Sequence, residues 1–93
     1  MSASLDLPSG RLDKWLFHAR FCRTRETAQQ VTEKGKVRLN GARVQKPGHA
    51  VRPGDILTLA LGGQVRVVRV LALAERRGSA PEAQQLYEIV PAD

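Results

Sequence analysis

An α+β fold, with two N-terminal helices packed on a small, mainly antiparallel sheet, is predicted by three observations. Leu12, Trp15, Leu16 and Ala19 recur at the i, i+3, i+4, i+7 spacing of one helical face. Val37 and Leu39 alternate with Lys36 and Arg38 ahead of Asn40-Gly41, the pattern of a tight hairpin. Further on, "ILTLAL" and "VRVVRVLAL" read as two strands joined by Gly62-Gly63.

The opening "MSASLDLPSG" has little periodicity and reads as a flexible leader over residues 1–10. Residues 11–90 then make one domain that ends in a short strand or tail, since 93 residues hold a single core. The first helix is expected from Arg11 to Phe21, with Arg11, Lys14 and His18 along one flank of its apolar stripe. Phe17 falls on the other side, either to pack against the leader or the C-terminal tail, or to offer a ring on which a base stacks.

Start and stop signals place the second helix at about residues 25–34. Thr24 can accept hydrogen bonds as N-cap, Glu26 suits the positive end, and Gly35 can turn left-handed past Lys34. Its buried stripe, Ala28 and Val31 with Thr27 and Thr32, is weakly apolar, so this helix must lean on the first helix and the sheet. Arg25 and Gln29 share its polar flank.

In the hairpin, Asn40-Gly41 supplies the positive φ angles of a type I′ turn. Val37 and Leu39 face the core, and Lys36 and Arg38 face out with Arg43 of the return strand. Two Pro-Gly turns surround Val51 ahead of the paired strands. "ERRGSAPEA" is a loop with a helical turn expected at 82–86, and "LYEIV" closes the chain as a final strand or tail.

Only four aromatic residues are present, so Leu, Val and Ala must fill the core. Cys22, the single cysteine, has no intramolecular disulfide partner and reads as a small core residue; with only His18 and His49 besides, no metal constellation or cofactor is expected. No apolar run reaches the roughly 20 residues of a membrane span, and the N-terminus does not read as a signal peptide, so a cytoplasmic protein without membrane partners is expected.

No catalytic constellation emerges, and the protein is read as a non-enzyme. Asp13 falls in a helix's first turn, where it favours the dipole, and Glu33 lies near prospective ion-pair partners. Asp55, after Pro53-Gly54, is placed to bond turn amides. No phosphate loop, nucleophile elbow or dinucleotide fingerprint accompanies them.

Charge is the most informative bulk property. Residues 11–46 carry ten basic side chains (Arg11, Lys14, Arg20, Arg23, Arg25, Lys34, Lys36, Arg38, Arg43 and Lys46) against Asp13, Glu26 and Glu33, whereas residues 47–93 carry five of each sign. Solubility would be served better by interspersed signs, so a one-sided excess points to a polyanion-binding face.

The order of these pieces resembles a known family. "RLDKWL" opening a helix, then "RTRETAQQVTEKGKVRLNGARVQKPGHAVRPGDIL", is similar to the S4 RNA-binding domain over about residues 11–60: helix, basic turn, helix, Gly-basic-Val hairpin with Asn-Gly, then Val-x-Pro-Gly-Asp. The last third, "RVLALAERRGSAPEAQQLYEIV", resembles the short stand-alone S4 proteins that act on the large ribosomal subunit, of the heat-shock and ribosome quality-control types. Chain length leans toward the shorter quality-control type.

The resemblance implies an S4-like fold with its αL motif. It also implies binding of structured RNA, large-subunit rRNA together with tRNA, on 50S ribosomal subunits still carrying a stalled peptidyl-tRNA, by a protein that is monomeric when free. The RNA surface it implies comprises Arg11 and Lys14 of the first helix, Arg20, Arg23, Thr24 and Arg25 around the turn, Gln29 on the second helix, and Lys34, Lys36, Asn40 and Arg43 at the hairpin. Arg25 with Arg11 makes one jaw of the grip and the hairpin the other. Two rival classes stand beside this reading: a DNA-binding helix-turn-helix protein, and an accessory RNA-binding module of an RNA-modifying enzyme.

Overall fold

The computed structural model describes residues 9–91. Most of the expected leader, 1–10, lies outside them, but Gly10 does not hang free. It opens β1 (Gly10–Arg11), which pairs antiparallel with β4 (Ala50–Val51) in a two-stranded ladder that the sequence did not suggest.

Between these strands run α1 (Leu12–His18), α2 (Arg25–Glu33), β2 (Val37–Leu39) and β3 (Ala42–Val44). After β4 come β5 (Ile56–Leu61), β6 (Gln64–Val70), α3 (Ala80–Gln84) and β7 (Tyr87–Ile89). The larger sheet has the order β3-β2-β5-β6-β7, antiparallel throughout. Its apolar face carries Val37, Val44, Leu57, Leu59, Val68 and Val70. These close against Leu12, Trp15, Leu16 and Ala28 of the helices in one mainly aliphatic core.

The first helix is shorter than its periodicity suggests. It ends at His18 rather than Phe21, and Arg20 follows with φ 67°, a left-handed conformation uncommon outside glycine. That reversal lets Phe21 and Cys22 turn back, their amides both reaching the Leu16 carbonyl, and Phe21 packs on Trp15. Cys22 is buried as expected, and burial pushes its thiol up to about 11.

α2 begins as predicted. Thr24 Oγ1 accepts from the Thr27 amide at 3.0 Å, and Gly35 stands at φ 77° past its end. Of its expected stripe, Ala28 and Thr32 are buried, Val31 is partly buried and Thr27 is exposed. Thr32 is tolerated inside because its hydroxyl donates to the Ala28 carbonyl at 2.8 Å.

The hairpin forms in the expected register, Val37 against Val44 and Arg38 against Arg43, with Asn40 at φ 52° and Gly41 at φ 88°. Asp55 bonds the Arg52 amide at 2.9 Å, the turn role expected of it.

The C-terminal third departs furthest from expectation. β6 stops at Val70, because Trp15 Nε1 donates to the Ala72 carbonyl and the Leu71 amide to the Leu86 carbonyl, which draw residues 71–79 off the sheet and along α1. α3 spans Ala80–Gln84 instead of 82–86. Ser79 and Glu82 form a reciprocal capping box with Pro81 in the first turn, a start signal two residues upstream of the expected one. The same segment packs on Phe17: the Arg77 guanidinium lies 4.9 Å over its ring and Arg77 Nε donates to its carbonyl.

Candidate nucleic-acid interface

Asp13 is the centre of the site. It does fall in the first turn of α1, but its side chain is fully buried and its main partners are cations, not the helix dipole. Arg11 grips it with two parallel bonds, Nε to Oδ1 and Nη2 to Oδ2, both 3.0 Å. Arg25 Nη2 reaches Oδ2 at 3.3 Å and Gln29 Nε2 reaches it at 3.2 Å, both from α2, while the Lys14 amide donates to Oδ1 at 2.8 Å.

Burial would push this carboxyl up. The bonds from Arg11, Gln29 and the Lys14 amide overcome that and hold it down at about 2. Arg11 is raised in return, first by its hydrogen bond to Asp13 and then by the carboxylate's charge.

Local sequence builds this arrangement. The turn at 46–50 docks on the start of α1, where the Leu12 amide donates to the His49 carbonyl and the Asp13 amide to the Pro47 carbonyl. Free helix amides are thereby satisfied without a side-chain cap from Arg11. Arg11 is thus left to lie across Gly48, whose missing side chain makes room: a Cβ there would stand 3.2 Å from Arg11 Nη1. Arg25 occupies the first position of α2, and Gln29 follows one turn later on the same flank, as their spacing implied. Arg25 Nε is buried and has no hydrogen-bond partner among the described residues.

The predicted residues fall into distinct groups. The side chains of Arg11, Arg25 and Gln29 gather at Asp13, while Lys14 meets it through its backbone amide and keeps its side chain exposed. Arg23 and Thr24 sit in the exposed turn leading into α2, with the Thr24 hydroxyl engaged as cap. Arg20 turns elsewhere: its Nε donates to the Gly78 carbonyl at 2.9 Å, and it lines a separate groove with Phe21, Arg66 and Tyr87.

At the hairpin, Arg38 and Arg43 are register partners on the sheet face opposite the core, both exposed. The Arg43 stem lies over Gly35, where a Cβ would stand 3.2 Å from its Cδ, so the cation is carried toward the end of α2 beside exposed Lys34 and Lys36. Asn40 is occupied structurally, its Oδ1 accepting from the Ile56 amide at 2.9 Å and its Nδ2 donating to Asp55 at 3.2 Å. Glu33, expected near an ion-pair partner, forms none among the described residues.

The residue that sequence reasoning undervalued is Asp13. Its i+2 spacing from Arg11 is not a helix-face pairing, and its link to Arg25 spans twelve positions, so neither short-range pattern marks it. Arg-x-Asp at a helix start, followed by a second Arg at the next helix start, is the signal that could have found it.

A family model for the S4 domain matches residues 10–57, which span both helices, the hairpin, the 46–50 turn and the whole Asp13 cluster. The chain belongs to the S4 domain family. Among curated S4 relatives, heat shock protein 15 homolog of Aeromonas salmonicida is 53% identical over 78 residues, 84% of this chain and 58% of the relative. The RQC P-site tRNA stabilizing factor of Listeria monocytogenes is 34% identical over 80 residues, covering 86% of this chain and 85% of the relative. This chain therefore spans 58% of the length of its heat-shock relative and most of the length of the other. The trimeric structure of Vibrio cholerae heat shock protein 15 superposes with a TM-score of 0.84 at 42% identity, over 89% of this chain and 83% of that one. The S4 match stops at residue 57, so β6, the 71–79 segment, α3 and β7 lie beyond it.

Proposed function

We propose that this protein binds structured RNA, large-subunit rRNA together with tRNA, on 50S subunits that still carry a stalled peptidyl-tRNA, and so serves ribosome rescue or quality control in the cytoplasm without catalysing a reaction. One observation carries the reading: Arg11, at the end of β1, and Arg25, at the start of α2, are held on one buried carboxylate of α1 in an S4 domain. A guanidinium so fixed offers its remaining N–H groups to a phosphate without first losing rotamer freedom. Such a face reads phosphate spacing and shape, as suits A-form RNA, whose deep major groove hides its base edges.

The name of one relative, RQC P-site tRNA stabilizing factor, supports the tRNA part of the reading. A DNA-reading α2 fits less well, because Glu26, Gln30 and Glu33 are exposed on that helix. Among the described residues no helix is long and apolar enough to cross a membrane.

Co-sedimentation with purified large subunits tests the proposal. Wild-type protein should pellet with the subunit, and the doubly reversed Arg11→Glu/Arg25→Glu variant, with its folding verified by circular dichroism because both arginines also partner the buried Asp13, should stay in the supernatant. Pelleting of both, or of neither, would overturn the assignment. The free chain is proposed to be a monomer, whereas the Vibrio cholerae relative was solved as a trimer; sedimentation velocity on the free protein decides between the two states.

A further inference from the structure

A groove beside the Asp13 cluster is built partly from the S4 module and partly from residues beyond it. An open trough of about 620 Å³ runs past Arg11 and Lys14 to His18, Leu73 and Glu75. It continues into a cleft of about 400 Å³ between α1, the 71–79 segment and α3; His18, Ala74 and Glu75 line both. Side-chain bonds to backbone fix the walls: Trp15 to Ala72, Arg20 to Gly78, and Arg77 to Phe17.

The two ends differ in chemistry. Cations stand at the trough end. The cleft is lined by apolar Ala72, Ala74, Ala83 and Leu86 together with Glu75, Glu82 and Arg76. Glu82 is occupied by the Ser79 amide and faces Arg76, whereas Glu75 is exposed and forms no ion pair among the described residues. A phosphate finds its cations, Arg11 and Lys14, in the trough, whereas in the cleft two carboxylates, Glu75 and Glu82, stand beside the single cation Arg76. A flat ring with hydrogen-bond donors on its edge suits the cleft, because its faces meet the apolar lining and imidazole and its amino group meets a carboxylate. The volume lies within the range of small-ligand sites, which begins at about 300 Å³.

We infer that this cleft receives one unstacked, amino-bearing nucleobase (adenine, cytosine or guanine) of the RNA whose phosphates Arg11 and Lys14 hold, so that residues beyond the S4 match add base discrimination to a backbone grip. The inference rests on the RNA-binding reading above. His18 supplies the ring against which the base lies, and Glu75 the acceptor for its amino group.

Three short RNA hairpins test it by fluorescence anisotropy: one with a single bulged adenine, one with a bulged uracil and one fully paired. Wild type should bind the bulged-adenine hairpin about tenfold more tightly than the paired one, with uracil between. His18→Ala should remove the preference for a bulge, and Glu75→Gln the preference for adenine over uracil, with the paired hairpin still bound by both variants. Arg11→Glu/Arg25→Glu should lose all three. Equal wild-type affinity for paired and bulged RNA, or variants that lower all three affinities alike, would overturn the inference while leaving the RNA-binding reading intact; no binding of any hairpin by wild type would sink both. Glu75 is exposed, so its variant still decides the matter if His18→Ala fails to fold.

Discussion

Arg25 stands at the first position of α2, and its Nη2 donates to Oδ2 of Asp13 in α1, twelve residues earlier, at 3.3 Å. This bond closes the turn between the helices over a carboxylate with no solvent exposure. A buried charge needs partners, and Arg11 from the other side completes the set. Neither arginine is buried with it: their side chains are 49% and 42% exposed, so the cluster presents cations while hiding the anion that aims them.

Asp13→Asn separates aiming from simple charge. The variant keeps the shape but sets an amide against guanidinium donors and leaves two cations without their counter-charge. A stability loss of about 2 kcal/mol is expected in urea titrations. Removing a negative charge from a basic face should strengthen RNA binding if net charge were all that mattered; aiming predicts weaker binding, by about fivefold if the loss is near 1 kcal/mol.

Acid should act through the same residue. The Asp13 carboxyl lies at about 2 when folded against 3.8 ordinarily, so the folded state binds its proton less readily than the unfolded state. Its contribution is fully present above about pH 4 and disappears as pH falls toward 2, about 2 kcal/mol in all. Wild type should lose that much between pH 5 and 2 in excess of Asp13→Asn, as measured by urea unfolding at each pH.

Asn40 should prove structural. Its side chain bridges the hairpin tip to the start of β5, and its own backbone needs φ 52°. Asn40→Ala is expected to cost about 1–2 kcal/mol of stability, while RNA affinity of the folded fraction changes less than twofold. Arg43→Ala should do the reverse, weakening RNA binding with stability within about 0.5 kcal/mol.

Thr24 caps α2 and thereby seats Arg25. Thr24→Ala should lower stability by about 1 kcal/mol in denaturant titration. Thr24→Ser should retain most of it, since the accepting oxygen remains.

Local rules made much of this legible. The cap at Thr24, the reversal at Gly35, the Asn40-Gly41 register and the Gly62-Gly63 turn all depend on residues within a few positions, and all formed as their chemistry requires. The basic surplus around the helices was visible as composition. What escaped was long-range: α1 stops early because Arg20 turns left-handed and bonds Gly78, 58 positions away, and β6 ends because Trp15 holds Ala72, 57 positions away. Asp13 escaped for the same reason, its burial depending on α2 and the 46–50 turn folding over it. Periodicity reports which face is apolar, not which polar residue a later segment will cover.

The most direct test of the central account is the salt dependence of binding to one structured RNA, followed by anisotropy for wild type and Arg11→Glu/Arg25→Glu. Each phosphate neutralised by a cation contributes close to one unit to the slope of log affinity against log salt. Wild type should bind with a steep slope, and the double variant should bind weakly with a slope shallower by about 2. Identical slopes and affinities for the two proteins would contradict the account, because the guanidiniums held on Asp13 would then not be the groups that meet the RNA.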